Sequence, residues 1–163
     1  MLKKTVLSAL NAQINAELYS AYLYLGMSAW CEQKNLPGFA AWMRKQFEEE
    51  QAHALKLFDY VADRGGSIEL GAIGRPPAAF RNLQDVWEKT LKHEQHVTAL
   101  IHKLYALAQK EQDFATQALV QWYVTEQVEE EKNASGILEQ VKMIGPNSSA
   151  VFFLDRHVAK SRE

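Results

Sequence analysis

The stretch Phe47-Glu-Glu-Glu-Gln-Ala-His53 decides the fold of this chain, because it places polar residues at helical spacing. Glu50 and His53 are three residues apart, so they lie on the same face of a helix. Glu17 precedes Glu50 by 33 residues. If the two segments form a helical hairpin, the first helix contributes one metal-ligating side chain and the second contributes two.

The same spacing occurs a second time. Glu94 precedes Gln127 by 33 residues, and Glu130 follows Gln127 by three. Two such hairpins, packed face to face, would bring six polar groups to one point in a helix bundle. One histidine among several carboxylates suits a hard to borderline metal such as iron or manganese. The repeated spacing therefore predicts a metal site inside an all-α bundle.

Helical periodicity extends through four long segments, and the sequence contains no strand pattern. Asn82 and Asp113 are plausible N-caps of the third and fourth segments, and Gly145-Pro146 ends the fourth. A fifth, short and apolar segment follows Pro146, and we expect it to pack on the end of the bundle or against another subunit. The predicted helices span residues 5–33, 37–64, 83–111, 114–143 and 148–160.

The connections between the segments predict the topology. Segments one and two, and segments three and four, are joined by a few residues, so each pair forms an antiparallel hairpin. Residues 65–82 join the hairpins and contain four glycines and two prolines. When extended, this stretch spans roughly 55 Å, more than the length of about 42 Å of a 28-residue helix. We therefore expect one domain over residues 1–163, a four-helix bundle with one long crossover and a short fifth C-terminal helix.

All six polar residues of the repeated spacing fall on core-facing stripes. An unpaired buried carboxylate is very costly. A buried ion-pair network is the alternative to a metal site, but no Lys or Arg occupies these stripes to pair with the four glutamates. Bound cations would compensate the buried charge, so we expect a metal site.

Composition excludes several function classes. The formal net charge of −2 gives no electrostatic basis for binding nucleic acid or a membrane. Cys31 is the single cysteine, so an intramolecular disulfide and a Cys-rich zinc or iron–sulfur site are excluded. No apolar run reaches the ~18 residues of a membrane span, and the start of the chain lacks the apolar region of a signal peptide. We expect a cytoplasmic protein.

The helix order, the crossover, the fifth helix and the polar residues together resemble bacterial non-haem ferritins over nearly the whole chain. The segments that carry this resemblance are Glu17-Leu-Tyr-Ser, Tyr24, Met27-Ser-Ala-Trp-Cys31, Glu49-Glu50-Gln-Ala-His53, Leu57-Phe-Asp-Tyr60, Lys92-His-Glu94-Gln and Gln121-Trp-Tyr-Val-Thr-Glu126-Gln-Val-Glu129-Glu130-Glu-Lys132. The resemblance implies an iron storage protein with ferroxidase activity. Fe(II) would be oxidised by O₂ or H₂O₂, and the Fe(III) would accumulate as a mineral in a hollow homo-oligomeric cage of 24 subunits.

The resemblance also implies a di-iron ferroxidase centre. Its six side chains would be Glu17, Glu50, His53, Glu94, Gln127 and Glu130. The first three would hold the first iron, and Glu50 would bridge to the second. Glu94 and Glu130 would hold the second iron, with Gln127 close by.

A third iron site beside this centre is implied as well. Its ligands would be Glu49, Glu126 and Glu129, each of which lies one position off the core stripe. Tyr24 matches the redox-active tyrosine of the family. Trp122 is a weaker candidate for supplying an electron.

Haem is not expected in this chain. Haem-binding bacterioferritins use a methionine of the second helix, where this chain has Gln51 and Ala52. They also repeat Glu-x-x-His on the fourth helix, where this chain has Gln127-Val-Glu-Glu130. The main alternative function is a di-iron carboxylate oxidase or oxygenase without storage, which would need a substrate pocket.

Three histidines of the third segment resemble a metal cluster at first sight. His93 and His96 flank Glu94 but point off its stripe, and His102 lies further along the chain. We expect these histidines at the surface or at an interface.

Overall fold

The computed structural model describes residues 2–146 and 148–160, without the side chain of Ser148. These residues form five α-helices and no strand: α1 Lys4–Gln33, α2 Pro37–Asp63, α3 Leu83–Lys110, α4 Phe114–Ile144 and α5 Ser148–Lys160. The prediction of four long helices and a short fifth one is confirmed. None of the described helices has both the length and the apolar character needed to cross a bilayer.

Side-chain caps start α3 and α4 where the sequence places them. Asn82 Oδ1 accepts a hydrogen bond of 2.9 Å from the backbone N–H of Asp85. Asp113 Oδ1 accepts one of 3.1 Å from the N–H of Thr116. Each bond satisfies a donor that has no partner within the helix. Gly145 ends α4 with a φ of 57°, which side chains other than glycine rarely adopt.

Ion pairs at one end of the bundle define the helix directions. Lys3, just before α1, pairs with Glu111, just after α3, at 3.0 Å. Arg64, just after α2, pairs with Asp113, just before α4, at 3.1 Å. The ends of α2 and α3 therefore lie at the same end of the bundle, so these two helices are parallel. Parallel helices need a crossover that runs the length of the bundle.

Two asparagines of α1 hold this crossover. The side chain of Asn11 donates to the carbonyl of Ser67 at 2.9 Å and accepts from the N–H of Glu69 at 3.2 Å. Asn15 makes the same pair of bonds, at 3.2 and 3.1 Å, to the backbone of residues 71–72. Each side-chain amide thus replaces the backbone partner that an irregular segment lacks.

The apolar core consists of two clusters, one towards each end of the bundle. The first cluster includes Trp42 and Trp87, whose ring centroids are 4.7 Å apart. The second includes Leu10, Leu57 and Ile101. On each long helix the polar residues of the repeated spacing fall between the two clusters. A polar layer therefore divides the core at mid-length.

The last helix caps the second one. Asp155 of α5 accepts hydrogen bonds from the backbone N–H groups of Gly38 at 3.0 Å and Phe39 at 2.8 Å. The N-cap residue of α2 itself, Leu36, makes no side-chain cap bond. A Cβ at Gly38 would lie 1.8 Å from the backbone oxygen of Asp155, so only glycine permits this close approach.

One side of α5 packs on the bundle and another is left exposed. Leu154 and Val158 are buried against the first apolar cluster. Phe152 and Phe153 remain 55% and 70% exposed. The sequence left open whether this helix packs on the bundle or against another subunit. It docks on its own bundle and leaves two aromatic rings exposed.

We predict that Asp155→Ala loosens the start of α2 and the docking of α5. Loss of an N-cap costs about 1–2 kcal/mol, so the amides of Gly38 and Phe39 should exchange with solvent faster. Hydrogen exchange measured by mass spectrometry tests this, with Asp59→Ala on the exposed side of α2 as the control. Unchanged exchange at the start of α2 in Asp155→Ala would contradict the capping role.

Candidate metal centre

The six residues of the repeated spacing are buried at mid-length in the bundle. Their relative exposures range from 0% for Glu94 to 7% for His53. The four long helices each contribute to the group: Glu17 from α1, Glu50 and His53 from α2, Glu94 from α3, and Gln127 and Glu130 from α4. The periodicity of the sequence predicted this burial. The assignment of iron to individual residues stays a prediction.

Three of these side chains form a compact group. One ligand atom from each of Glu17, Glu50 and His53 lies within 4.8 Å of the others. His53 Nδ1 is 3.5 Å from Glu50 Oε2. Tyr123 donates its hydroxyl to the backbone oxygen of His53 at 2.7 Å, and Gln13 Nε2 donates to Glu17 Oε1 at 2.8 Å. Two carboxylates and one imidazole at this spacing could hold a hard to borderline metal such as iron or manganese.

Glu94 faces this group from α3 and is held on both carboxylate oxygens. The hydroxyl of Tyr24 donates to Oε1, and Gln127 Nε2 donates to Oε2 at 3.2 Å. The same amide also contacts the backbone oxygen of Glu94 at 3.2 Å. Within the described part of the chain, no compact group of three ligands includes Glu94 or Glu130. A second metal position at Glu94 and Glu130 therefore stays a prediction.

Glu130 is held by a glutamine that the sequence analysis assigned no role. Gln46 Nε2 donates to Glu130 Oε2 at 3.1 Å. The Gln46 side chain is fully buried, and its Oε1 has no hydrogen-bond partner among the described residues. Gln46 lies on the core stripe of the second helix, so its burial was predictable but its contact was not.

Burial makes the acidic groups of this site hard to ionise. It raises the pKa of Glu17, and repulsion by Glu50 raises it further. The pKa of Glu50 is raised by burial and then by the charges of Glu94 and Glu130. Burial also raises the pKa of Glu94 and that of Tyr24, which Glu94 raises further. A bound cation reverses this effect because it stabilises the ionised carboxylates.

Comparison with known proteins identifies the family. The model of the ferritin-like domain matches residues 7–144. The chain belongs to the ferritin family. The predicted resemblance to bacterial non-haem ferritins is confirmed, and the function that the family supports is iron storage.

Three relatives illustrate the similarity. The chain is 38% identical to the bacterial non-heme ferritin of Escherichia coli O157:H7, over 98% of this chain and 96% of that one. It is 39% identical to that of Campylobacter jejuni, over 97% and 95% of the two chains. The open pore ferritin of the hyperthermophilic archaeon Archaeoglobus fulgidus is 45% identical, covers 98% of this chain and 97% of its own, and superimposes with a TM-score of 0.96.

The three carboxylates of the predicted third iron site lie outside the buried layer. Glu129 is exposed, and Glu49 and Glu126 are half-buried. Glu49 and Glu129 line one groove of about 570 Å³, which also includes Lys45 and Lys132. Glu126 is not among the residues that line this groove. A third site in this ferritin chain stays a prediction.

The structure corrects the prediction for His93. This residue is half-buried between α3 and α1, with its Nε2 2.8 Å from Ser20 Oγ. Its ring lies edge-on to Tyr24, with the ring centroids 6.3 Å apart. Burial and then the nearby His96 lower the pKa of His93 to about 4. His96 and His102 are exposed, whereas His93 is half-buried because α1 lies against α3 there.

Both predicted electron donors border the six buried residues. Tyr24 donates directly to Glu94. Trp122 lies edge-on to His53, with a distance of 5.3 Å between ring centroids. Lys56 Nζ sits 3.3 Å above the Trp122 ring.

We predict that the metal-free protein becomes less stable as pH rises. The folded-state pKa values of Glu17, Glu50 and Glu94 are raised, so above the ordinary pKa of about 4.5 the folded state binds more protons than the unfolded state. The free energy of unfolding therefore falls with rising pH in this range. Glu50→Gln removes one such group and should flatten the pH dependence.

Melting temperatures of chelator-treated protein from about pH 5 to about pH 8 test this. Glu48→Gln, a change to an exposed carboxylate of α2, is the control. The interpretation fails if Glu50→Gln keeps the parental slope or melts below the parent at neutral pH.

Proposed function

We propose that this ferritin chain is a ferroxidase, which oxidises Fe(II) at a di-iron centre and deposits Fe(III) as a mineral inside a cage of 24 copies. The observation that carries the proposal is the buried layer of four glutamates and one histidine. No Lys or Arg is buried among the described residues to neutralise it. Iron arriving as substrate would supply the missing positive charge.

The two iron positions differ in how far the chain assembles them. Glu17, Glu50 and His53 would hold the first iron, and their compact arrangement supports this assignment. Glu94 and Glu130 would hold the second, with Glu50 shared by both. Hard anionic oxygens stabilise the higher charge of Fe(III), so these ligands favour oxidation.

Two adjacent irons match the electron demand of the oxidant. Each Fe(II) gives one electron, and O₂ takes two electrons and two protons to become H₂O₂. H₂O₂ takes two more electrons and two protons to become water. A paired site therefore reduces O₂ without releasing superoxide.

Tyr24 is the better-placed donor of a further electron. Loss of an electron from a phenol releases its proton, and the Tyr24 hydroxyl already donates to Glu94. Trp122 has a cation over its ring, since Lys56 Nζ lies 3.3 Å from the ring centroid. The positive charge of Lys56 makes it harder to remove an electron from the Trp122 ring.

Glu49, Glu126 and Glu129 would form a third iron site through which iron leaves the paired centre. Their partial exposure supports a transit role, because iron must pass from the dry core to the cage interior. Haem plays no part in this proposal. Gln51 and Ala52 are exposed and offer no thioether.

Exposed apolar side chains support assembly into a cage. Phe114, Val128, Met143 and Phe153 are each about 70% exposed or more, with Met143 at 85%. Contacts between copies in the cage would remove these side chains from water. We expect the cage to be cytoplasmic.

Aerobic loading with Fe(II), followed by size-exclusion chromatography, tests storage directly. We expect iron to co-elute with a particle that contains 24 copies of the 18.5 kDa chain. Each chain should retain far more iron than its own ligands can hold. Retention of only a few iron atoms per chain would overturn storage and favour a di-iron oxidase.

Two groups of variants separate the paired centre from the third site. Glu50→Ala should abolish rapid oxidation of two Fe(II) per chain, and His53→Ala should slow it strongly. Glu129→Ala should keep the rapid phase and change the ratio of iron to O₂ consumed. Stopped-flow absorbance with matched oxygen uptake measures both effects. Equal losses in the two groups would contradict a separate third site.

A further inference from the structure

Three buried glutamines each donate a hydrogen bond to a different carboxylate of the centre. The pairs, with their N–O distances, are Gln13 with Glu17 at 2.8 Å, Gln46 with Glu130 at 3.1 Å, and Gln127 with Glu94 at 3.2 Å. Each glutamine is 4% exposed or less. Each carboxylate that is not shared between the two iron positions thus has one amide.

Of these three glutamines, Gln127 already belongs to the predicted di-iron centre. Gln13 and Gln46 do not. Gln13 precedes Glu17 by one helical turn, and its bond stays within α1. Gln46 precedes Glu50 by one turn on α2 but reaches across the core to Glu130 on α4. The first contact orders a ligand of the first iron position, and the second orders a ligand of the second position.

Packing alone does not explain a glutamine at position 46. A buried amide is unfavourable unless its polar atoms are bonded. The Oε1 atom of Gln46 has no partner in the described part of the chain, and Nε2 bonds to Glu130. An apolar side chain of the same length would fill the space without an unsatisfied acceptor. The hydrogen bond to Glu130 is therefore the interaction that accounts for a glutamine at this position.

An amide bonded to one carboxylate oxygen restricts what the carboxylate can do. It selects one side-chain conformation and occupies one oxygen, so the carboxylate would meet a metal through its other oxygen. Groups that hold ligands in this way tune metal affinity without touching the metal.

We propose that Gln13 and Gln46 are positioning residues for two different iron positions. Gln13 orients Glu17 for the first iron, and Gln46 orients Glu130 for the second. This inference rests on the proposed di-iron function.

Anaerobic titration of the assembled, metal-free protein with Co(II) tests the inference without turnover. Calorimetry gives the affinity of each binding step, and the visible absorption of Co(II) reports its ligand geometry. Glu17→Ala and Glu130→Ala first assign the two steps to the two positions. The test variants are then Gln13→Met and Gln46→Met, which keep side-chain length and remove the donor.

We expect Gln13→Met to weaken binding at the first position about 10- to 100-fold and to leave the second position unchanged. Gln46→Met should do the reverse, and the Co(II) spectrum should change at the affected position alone. The shortened amides Gln13→Asn and Gln46→Asn should cause the same selective losses, so the outcome does not depend on how methionine packs. A matched control is Gln84→Met, because Gln84 donates to Glu88 at 2.7 Å on the exposed surface. This control should bind Co(II) like the parent.

Equal weakening of both positions in each variant, or no weakening in either, would overturn the positioning roles while the di-iron centre stands. Failure of the parent protein to bind two Co(II) per chain would instead overturn the proposed function itself.

Discussion

The burial of four carboxylates at one level of a helix bundle is the constraint on which this structure depends. None of the buried residues that the structure describes is a lysine or arginine, so the negative charge is not neutralised by the chain. The pKa values of Glu17, Glu50 and Glu94 are raised as a result. Ionising such groups without partners costs several kcal/mol each. Protons retained on these groups lower that cost in the metal-free bundle, and a bound cation would offset it in their place.

The rest of the architecture offsets this local cost. Two apolar clusters flank the polar layer, so most of the stabilising burial lies away from it. Donors from all sides then fix the carboxylates: a tyrosine hydroxyl on Glu94 and glutamine amides on Glu17, Glu94 and Glu130. If a metal binds here, little binding energy would be spent on ordering these side chains. Within this layer Glu17, Glu50 and His53 form a compact group, and Glu94 and Glu130 lie outside it.

Helical periodicity is a property of a single segment of sequence. It therefore predicted features that are set within one helix, namely which face is buried and where the helix starts. Core stripes predicted the burial of the six site residues, and capping residues such as Asn82 predicted helix starts. The partial burial of His93 was missed because the stripe on the third segment faces only the core. It does not show that α1 also packs beside this residue. The periodicity predicted that Gln46 would be buried. It could not predict the hydrogen bond from Gln46 to Glu130, because that contact joins two helices that are distant in the sequence. The capping role of Asp155 could not be predicted from the sequence. Its partners are backbone N–H groups, which nearly every residue has.

The bond from Asp155 to the start of α2 also has a consequence for how the chain matures on the ribosome. Its partner Gly38 lies 117 residues earlier in the chain, so α2 emerges long before its cap exists. At roughly 5–20 residues per second, synthesis of that interval takes on the order of 6–23 s. During this time the helix that carries Glu50 and His53 lacks the side-chain cap at its first turn. The cap at its first turn therefore forms only after α5 has been synthesised and can dock.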